Sequence, residues 1–197
     1  RPHWYGFARL SPALADPAMV AGLHRAGCRA LCLGVEGASQ RLLDLIGKGT
    51  TVETARAVLE TLHGASIRTV VYALLGLPTE TAQELVLTRD FLVENAPHID
   101  FLHVSVMNLP LGSPLERFPT RFGLPADTAP FPGDLSLCRD LQTTGALPRR
   151  AVRRFLQNEV LRHPILRPRL QALPPGLGAN HVLFAPQSTT KPKTKRV

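Results

Sequence analysis

No stretch of this 197-residue chain approaches the roughly 18–20 consecutive apolar residues that a membrane-spanning helix needs, so no helical span is expected. Cysteine is scarce, at three residues, which excludes a disulfide framework and points to a reducing, cytoplasmic compartment. There is no Gly-x-Gly-x-x-Gly, no P-loop and no Gly-x-Ser-x-Gly, so the common dinucleotide, phosphate-cradle and serine-nucleophile signatures are missing. The histidines form neither an HxxxH nor an HExxH pattern and offer no metal set. The chain opens Arg-Pro-His-Trp, without a Met or a signal-peptide pattern, and reads as the continuation of an upstream segment.

What is present is a sizeable apolar fraction, 44%, enough for a core. The net charge of +8 is unevenly placed. Residues 1–112 hold nine Lys/Arg and ten Asp/Glu, whereas residues 113–197 hold fourteen and five. The basic character therefore belongs to the second part. Basic tails bind nucleic acid or anionic lipid, but a solvated extension or a subunit contact is the commoner use, and neither a nucleic-acid nor a membrane partner is expected.

Residues 67–81 organise the rest. Nine nearly all apolar or β-branched residues read as a strand buried on both faces. Gly76 and Pro78 stop it, and Thr81 with Glu84 fits a capping box opening a helix over about 81–95. Upstream, residues 4–10 fit a strand. Asp16-Pro17 starts a helix that Gly27 ends, and residues 29–35 form a second buried strand. Residues 40–46 fit two helical turns. Thr50 with Glu53 fits a second capping box, with its helix running to about 63 and stopped by Gly64. Residues 99–109 form a fourth strand. This alternation is the βαβ signature of a parallel sheet, either half of an eight-stranded barrel or an open sheet, and no hairpin is expected. Beyond Pro110 the chain is rich in Pro and Gly. A short helix is expected at 135–141, a helix at 148–162, a proline-broken stretch at 164–175 and an edge strand within 176–186. Residues 187–197, polar and basic, read as disordered. The expected organisation is thus 1–112, 113–186 and 187–197.

Strand ends carry the chemistry in such folds. Glu36 follows an apolar strand and can bind a ligand hydroxyl or amine, although alone it reads better as a loop or cap carboxylate. Lys48, between Gly47 and Gly49, can reach a carboxylate or phosphate, or sit solvated in its turn. Cys28-x3-Cys32 hints at iron–sulfur ligation, but Cys28 follows a helix stop, Cys32 lies inside a strand, and Cys138 is remote. Both read better as small apolar residues.

The ordered series Ala26-Gly27, Leu33-Gly34-Val35-Glu36-Gly37-Ala38-Ser39, Leu42 to Thr50 (Leu-Leu-Asp-Leu-Ile-Gly-Lys-Gly-Thr) and Leu75-Gly76-Leu77-Pro78-Thr79-Glu80-Thr81 resembles the later half of a radical S-adenosylmethionine barrel. It is most similar to the group often joined to a cobalamin-binding domain and to the oxygen-independent coproporphyrinogen dehydrogenases. The likeness extends more loosely through Gly112-Ser113-Pro114, Arg154-Phe155-Leu156, His163-Pro164 and Ala179-Asn180-His181. Gly-Val-Glu-Gly-Ala departs from the commoner Gly-Val-Glu-Ser-Gly but keeps Glu36.

The resemblance implies a partial (β/α) barrel of the TIM type, of about four parallel strands with crossover helices, followed by a mainly helical and irregular basic tail. It implies S-adenosyl-L-methionine as cofactor, with Glu36 at its ribose or amino end and Lys48 on its carboxylate. Arg9 would line the cofactor, Tyr72 and Leu74 would neighbour ribose and adenine, and Gly76, Leu77 and Pro78 would form the turn against the adenine. It implies a [4Fe-4S] cluster that cleaves the cofactor to a 5′-deoxyadenosyl radical, and cobalamin where the extra domain is joined. The family's Cys-x3-Cys-x2-Cys is not among the 197 residues, nor are the first two barrel strands. The expected partner is therefore that first half, and the chain alone is expected to be inactive. Two alternatives stand beside this: an inactive remnant or interaction module keeping the half-barrel, and an unrelated α/β enzyme in which Gly-Leu-Pro is only a turn. The substrate, a small molecule or a peptide, is not legible.

Overall fold

The computed structural model describes residues 2–126, 137–141 and 147–172. Its centre is a four-stranded parallel sheet in the order β1-β2-β3-β4, with β1 at Trp4–Ala8, β2 at Cys28–Glu36, β3 at Arg68–Leu75 and β4 at Phe101–Val106. Between them run α1 (Pro17–Arg25), α2 (Gln40–Leu45), α3 (Val52–Gly64) and α4 (Ala82–Glu94). The parallel α/β sheet expected from the alternation forms, as the partial barrel that the resemblance implies. Local chemistry explains the boundaries. The Asp16 carboxylate accepts from the Ala18 N–H at 2.9 Å and Pro17 opens α1. Thr81 and Glu84 form the reciprocal capping box that starts α4.

The two faces of the sheet differ. Leu31, Leu33, Val35, Val71, Ala73, Leu75 and Leu102 pack against Val20, Val58, Leu59, Leu62, Leu85 and Leu92 of the helices. Each Val or Leu side chain among them, taken fully from water, contributes about 1.5–3 kcal/mol. The opposite, concave face carries Ala30, Cys32, Val70 and Phe101 with Tyr5 and Tyr72. Phe7, which pairs in register with Cys32, is 75% exposed on that face. Among the described residues, β1 and β4 are each paired along one side.

Several local expectations change. Residues 99–109 are not one strand. The Met107 N–H still donates to the Leu75 carbonyl at 2.8 Å. Asn108–Pro110 (β5) then leaves to pair antiparallel with Cys138–Asp140 (β6). The cause is a second small core, in which Leu109 packs with Phe122, Leu124 and Leu141. The helix expected at 135–141 is therefore strand over Cys138–Asp140, and this antiparallel pair was not anticipated. The cap of α3 is Thr51, whose hydroxyl accepts from the Thr54 N–H at 3.1 Å, so Thr50 and Glu53 form no capping box. Gly64 lies within α3, and the reversal falls on Ser66, at φ +59°.

In the second part, α5 (Pro114–Arg117) is a single turn. The helix expected at 148–162 is α6 (Arg149–Phe155) continued by a π-helical turn at Leu156–Val160. The stretch 164–175 contains α7 (Arg167–Gln171), tolerated because Pro168 lies in its first turn. Val152, Val160 and Leu166 belong to the same core as the sheet. Expectations for residues 176–186 and 187–197, and the Ala179-Asn180-His181 motif, lie outside the described residues.

Candidate functional site

The carboxyl ends of β2 and β3 bring the predicted residues together. β2 slips register against β3 between Gly34 and Glu36, and Glu36 takes φ +63°, an uncommon conformation for a side-chain-bearing residue. That bulge aims its carboxylate at Lys48, whose ammonium lies 2.7 Å from Glu36 Oε1. Both side chains are under one-fifth exposed. Lys48 sits between Gly47 (φ +65°) and Gly49 (φ +67°), a turn that ends α2. Arg9, just beyond β1, donates its Nη2 to the Lys48 carbonyl at 2.7 Å. Gly34 supplies the space: a Cβ there would collide with the Glu36 carboxylate and lie 2.8 Å from Lys48 Nζ. The ends of β1 and β2 and the turn after α2 thus bring one carboxylate and two cations together.

The second wall is the turn after β3. Gly76 has φ +79°, which glycine adopts at little cost. A Cβ on it would point at Val152 and Val106, at 3.4 and 3.5 Å, so its conformation is what requires glycine. Leu77 and Pro78 are buried, and Leu77 reaches the space beside Gly37, where a Cβ would lie 3.7 Å from its Cδ1. The two walls therefore adjoin. Tyr72 and Leu74 project to the concave face, Tyr72 in register with Gly34 and His103 and Leu74 with Ser105. The Tyr72 and His103 rings stand 5.5 Å apart, and the Tyr72 hydroxyl faces the Cys32 thiol. Burial pushes both groups up from their ordinary pKa values.

Sequence reasoning missed what holds this turn. Glu80 is 1% exposed, and its Oε2 accepts from the Gly76 and Leu77 N–H groups while Oε1 has no partner among the described residues. Burial pushes its carboxyl up to about 7, against the two amide hydrogen bonds and the Arg41 charge, which favour ionisation. Thr79, a β-branched residue at φ +61°, is strained by roughly 1–3 kcal/mol. Its hydroxyl and carbonyl accept from Arg41 at 2.9 and 3.1 Å. Arg41 also grips both Glu84 oxygens, at 3.0 and 2.8 Å. Ser39 donates to the same carboxylate at 2.6 Å, and the Thr81 N–H and hydroxyl each do so at 2.9 Å. Burial opposes ionisation of Glu84, but these donors outweigh it and hold its carboxyl at about 2. The signal available was the capping box, which showed Glu84 as a cap but not its cross-link to α2.

Cys28 and Cys32 pack into different apolar clusters, and burial pushes both thiols up, which suits neither a thiolate ligand nor a shared metal. Among the described residues, no three His, Cys, Asp or Glu side chains gather where an ion could bind. These residues do not fit an iron–sulfur cluster. No helix among them is long and apolar enough to cross a membrane. A groove of about 440 Å³ lined by Arg117, Phe118, Pro119, Thr120, Arg121 and Ala126 contains none of the candidate residues.

Residues 8–92, which span both walls, match the Radical SAM superfamily model. The resemblance read from the sequence is borne out over that span. The chain is 32% identical over 82 residues to the anaerobic magnesium-protoporphyrin IX monomethyl ester cyclase of Rubrivivax gelatinosus, covering 42% of this chain. It spans only 15% of that relative's length. Among solved structures it resembles the radical S-adenosylmethionine methyltransferase TsrM of Kitasatospora setae with cobalamin and a [4Fe-4S] cluster bound. The TM-score is 0.50 and the identity 23%, over 77% of this chain and 30% of that one, a likeness of fold. It also resembles the coproporphyrinogen III oxidase HemN of Escherichia coli, at TM-score 0.48 and 18% identity, over 61% and 25% of the two chains.

Proposed function

We propose that this chain is the later half of a radical S-adenosylmethionine enzyme's barrel, and that its carboxyl-end site binds S-adenosylmethionine. The observation that carries this is the Glu36–Lys48 ion pair, seated over the side-chain-free Gly34 and beside the Gly76–Leu77–Pro78 turn. The pair supplies both signs that an amino acid moiety requires: Lys48 takes the carboxylate and Glu36 a ribose hydroxyl or the amino group. Arg9 holds the Lys48 backbone and adds positive charge. The Gly76–Leu77–Pro78 turn offers its backbone to the adenine edge, its Leu77 and Pro78 side chains being buried behind it, with Tyr72 and Leu74 below it on the concave face. In this family the bound cofactor is the source of a 5′-deoxyadenosyl group for radical chemistry. The residues here bind and orient it. The [4Fe-4S] ligands, and any cobalamin, belong to segments outside these 197 residues.

The partner in this reading is the first half of the barrel, in the same polypeptide or a separate one. The exposure of Phe7 on the concave face and, among the described residues, the one-sided pairing of β1 and β4 support it. The same face also supports a second reading, an interaction module that keeps the half-barrel without activity. A Cys-x3-Cys-x2-Cys encoded in frame upstream favours the enzyme. Binding tests the reading in either case. In calorimetric titration of the complete protein, Lys48→Ala and Glu36→Ala are each expected to weaken S-adenosylmethionine binding tenfold or more, roughly 1.4 kcal/mol. Unchanged affinity in both variants contradicts the assignment.

A further inference from the structure

We propose that Arg41 and Glu84 are a positioning pair that sets the separation of the two walls of the site. This rests on the S-adenosylmethionine reading given above.

Glu84 is the junction of two βα units. From its own unit come the Thr81 N–H and hydroxyl, which suffice to cap α4. From the preceding unit come the Ser39 hydroxyl and the Arg41 fork, 45 and 43 residues distant in sequence. A helix cap needs neither. Ser39 is the N-cap of α2 and lies three residues beyond Glu36, and α2 leads directly into the Gly47–Gly49 turn that carries Lys48. Arg41 thereby holds the first wall. The same guanidinium holds the second, because its Nη1 and Nη2 reach the hydroxyl and carbonyl of Thr79, the residue after Pro78. Thr79 is kept in the left-handed region by those contacts, and a threonine released from them relaxes toward ordinary backbone angles, carrying Pro78 and Leu77 with it. A third tie, from the Ala38 N–H to the Thr88 hydroxyl at 3.1 Å, runs alongside. Glu84 is well covered, whereas the Arg41 side chain is about half exposed, so the fork closes the network from the solvent side. Arginine is required because only its planar fork spans two carboxylate oxygens and a second acceptor together.

A wall-spacing role has a signature that a purely structural one lacks. A ligand that bridges both walls gains from their fixed separation, and its fragments do not. In the complete protein, Arg41→Ala is expected to weaken S-adenosylmethionine binding about tenfold, within the usual range of site coupling. Binding of 5′-deoxyadenosine alone and of methionine alone, followed by ligand-observed NMR, should change less than threefold. Arg41→Lys, which keeps the charge but not the fork, should resemble Arg41→Ala, and it gives the same readout if the alanine variant does not fold. Equal losses for the whole ligand and its fragments would overturn the proposal, as would affinity within twofold of the parent in both variants. Lys48→Ala separates this from failure of the underlying reading. If the parent binds and Lys48→Ala does not, a null result at Arg41 removes the positioning pair alone. If the parent does not bind, or Lys48→Ala is unaffected, the site assignment itself fails.

Discussion

Glu80 holds a carboxyl where water does not reach, and its titration follows from that position. Its folded pKa of about 7 lies above the ordinary 4.5, so between these values the folded chain keeps a proton that the unfolded chain has released. The stability it contributes is complete below about pH 4.5 and is lost as pH rises through about 7, on the order of 3 kcal/mol in all. Glu84 acts in the opposite sense. Its folded value of about 2 lies below the ordinary one, so its contribution is present above about pH 4.5 and is lost as pH falls toward 2. Thermal unfolding followed from pH 2 to 9 should therefore show two losses, an acid limb and a shallower decline from about 5 to 7. Glu80→Gln should flatten the second and leave the first. A decline that persists unchanged in Glu80→Gln assigns it to another group. Single residues were unevenly legible in the sequence. Glu36 and Lys48 stand out because each is a lone charge among small residues at a strand or helix end. Gly34 does not, because what it must avoid are the Glu36 carboxylate, turned back by the bulge, and the Lys48 ammonium brought in from fourteen positions away. Arg41 does not, because an exposed helix arginine has no local mark of what it grips.

Elements are legible where burial writes a pattern. β2 and β3 are covered on both faces over most of their length, so they appear as continuous apolar runs with sharp ends. β5 and β6 have three residues each, too few to show a period, and their pairing spans chain that separates them by almost thirty positions. The α6 segment is legible as a helix, but its place is not. Val152, 2% exposed, packs against the Gly76 turn at the position where a Cβ would project, so a helix from the second part of the chain backs one wall of the site. Val152→Ala is expected to cost about 2 kcal/mol in global stability. It should also speed hydrogen exchange at the Gly76 and Leu77 amides beyond the change elsewhere in β3. A uniform change would mean that α6 stabilises the fold without supporting the turn.

For the whole molecule, the alternation of strand and helix is enough to define a parallel α/β sheet, because right-handed crossovers leave few other arrangements, whereas the choice of half-barrel over open sheet rests on the family resemblance. It does not define what covers the concave face. The central claim is that the carboxyl ends of β2 and β3 form one S-adenosylmethionine site. Its most direct test is a structure of the complete protein with S-adenosylmethionine bound. The account predicts the methionyl carboxylate on Lys48, released from its contact with Glu36, and the adenine against the backbone of the Gly76–Leu77–Pro78 turn. Ligand found in the groove lined by Arg117 and Arg121, or elsewhere with the Glu36–Lys48 pair undisturbed, would contradict it.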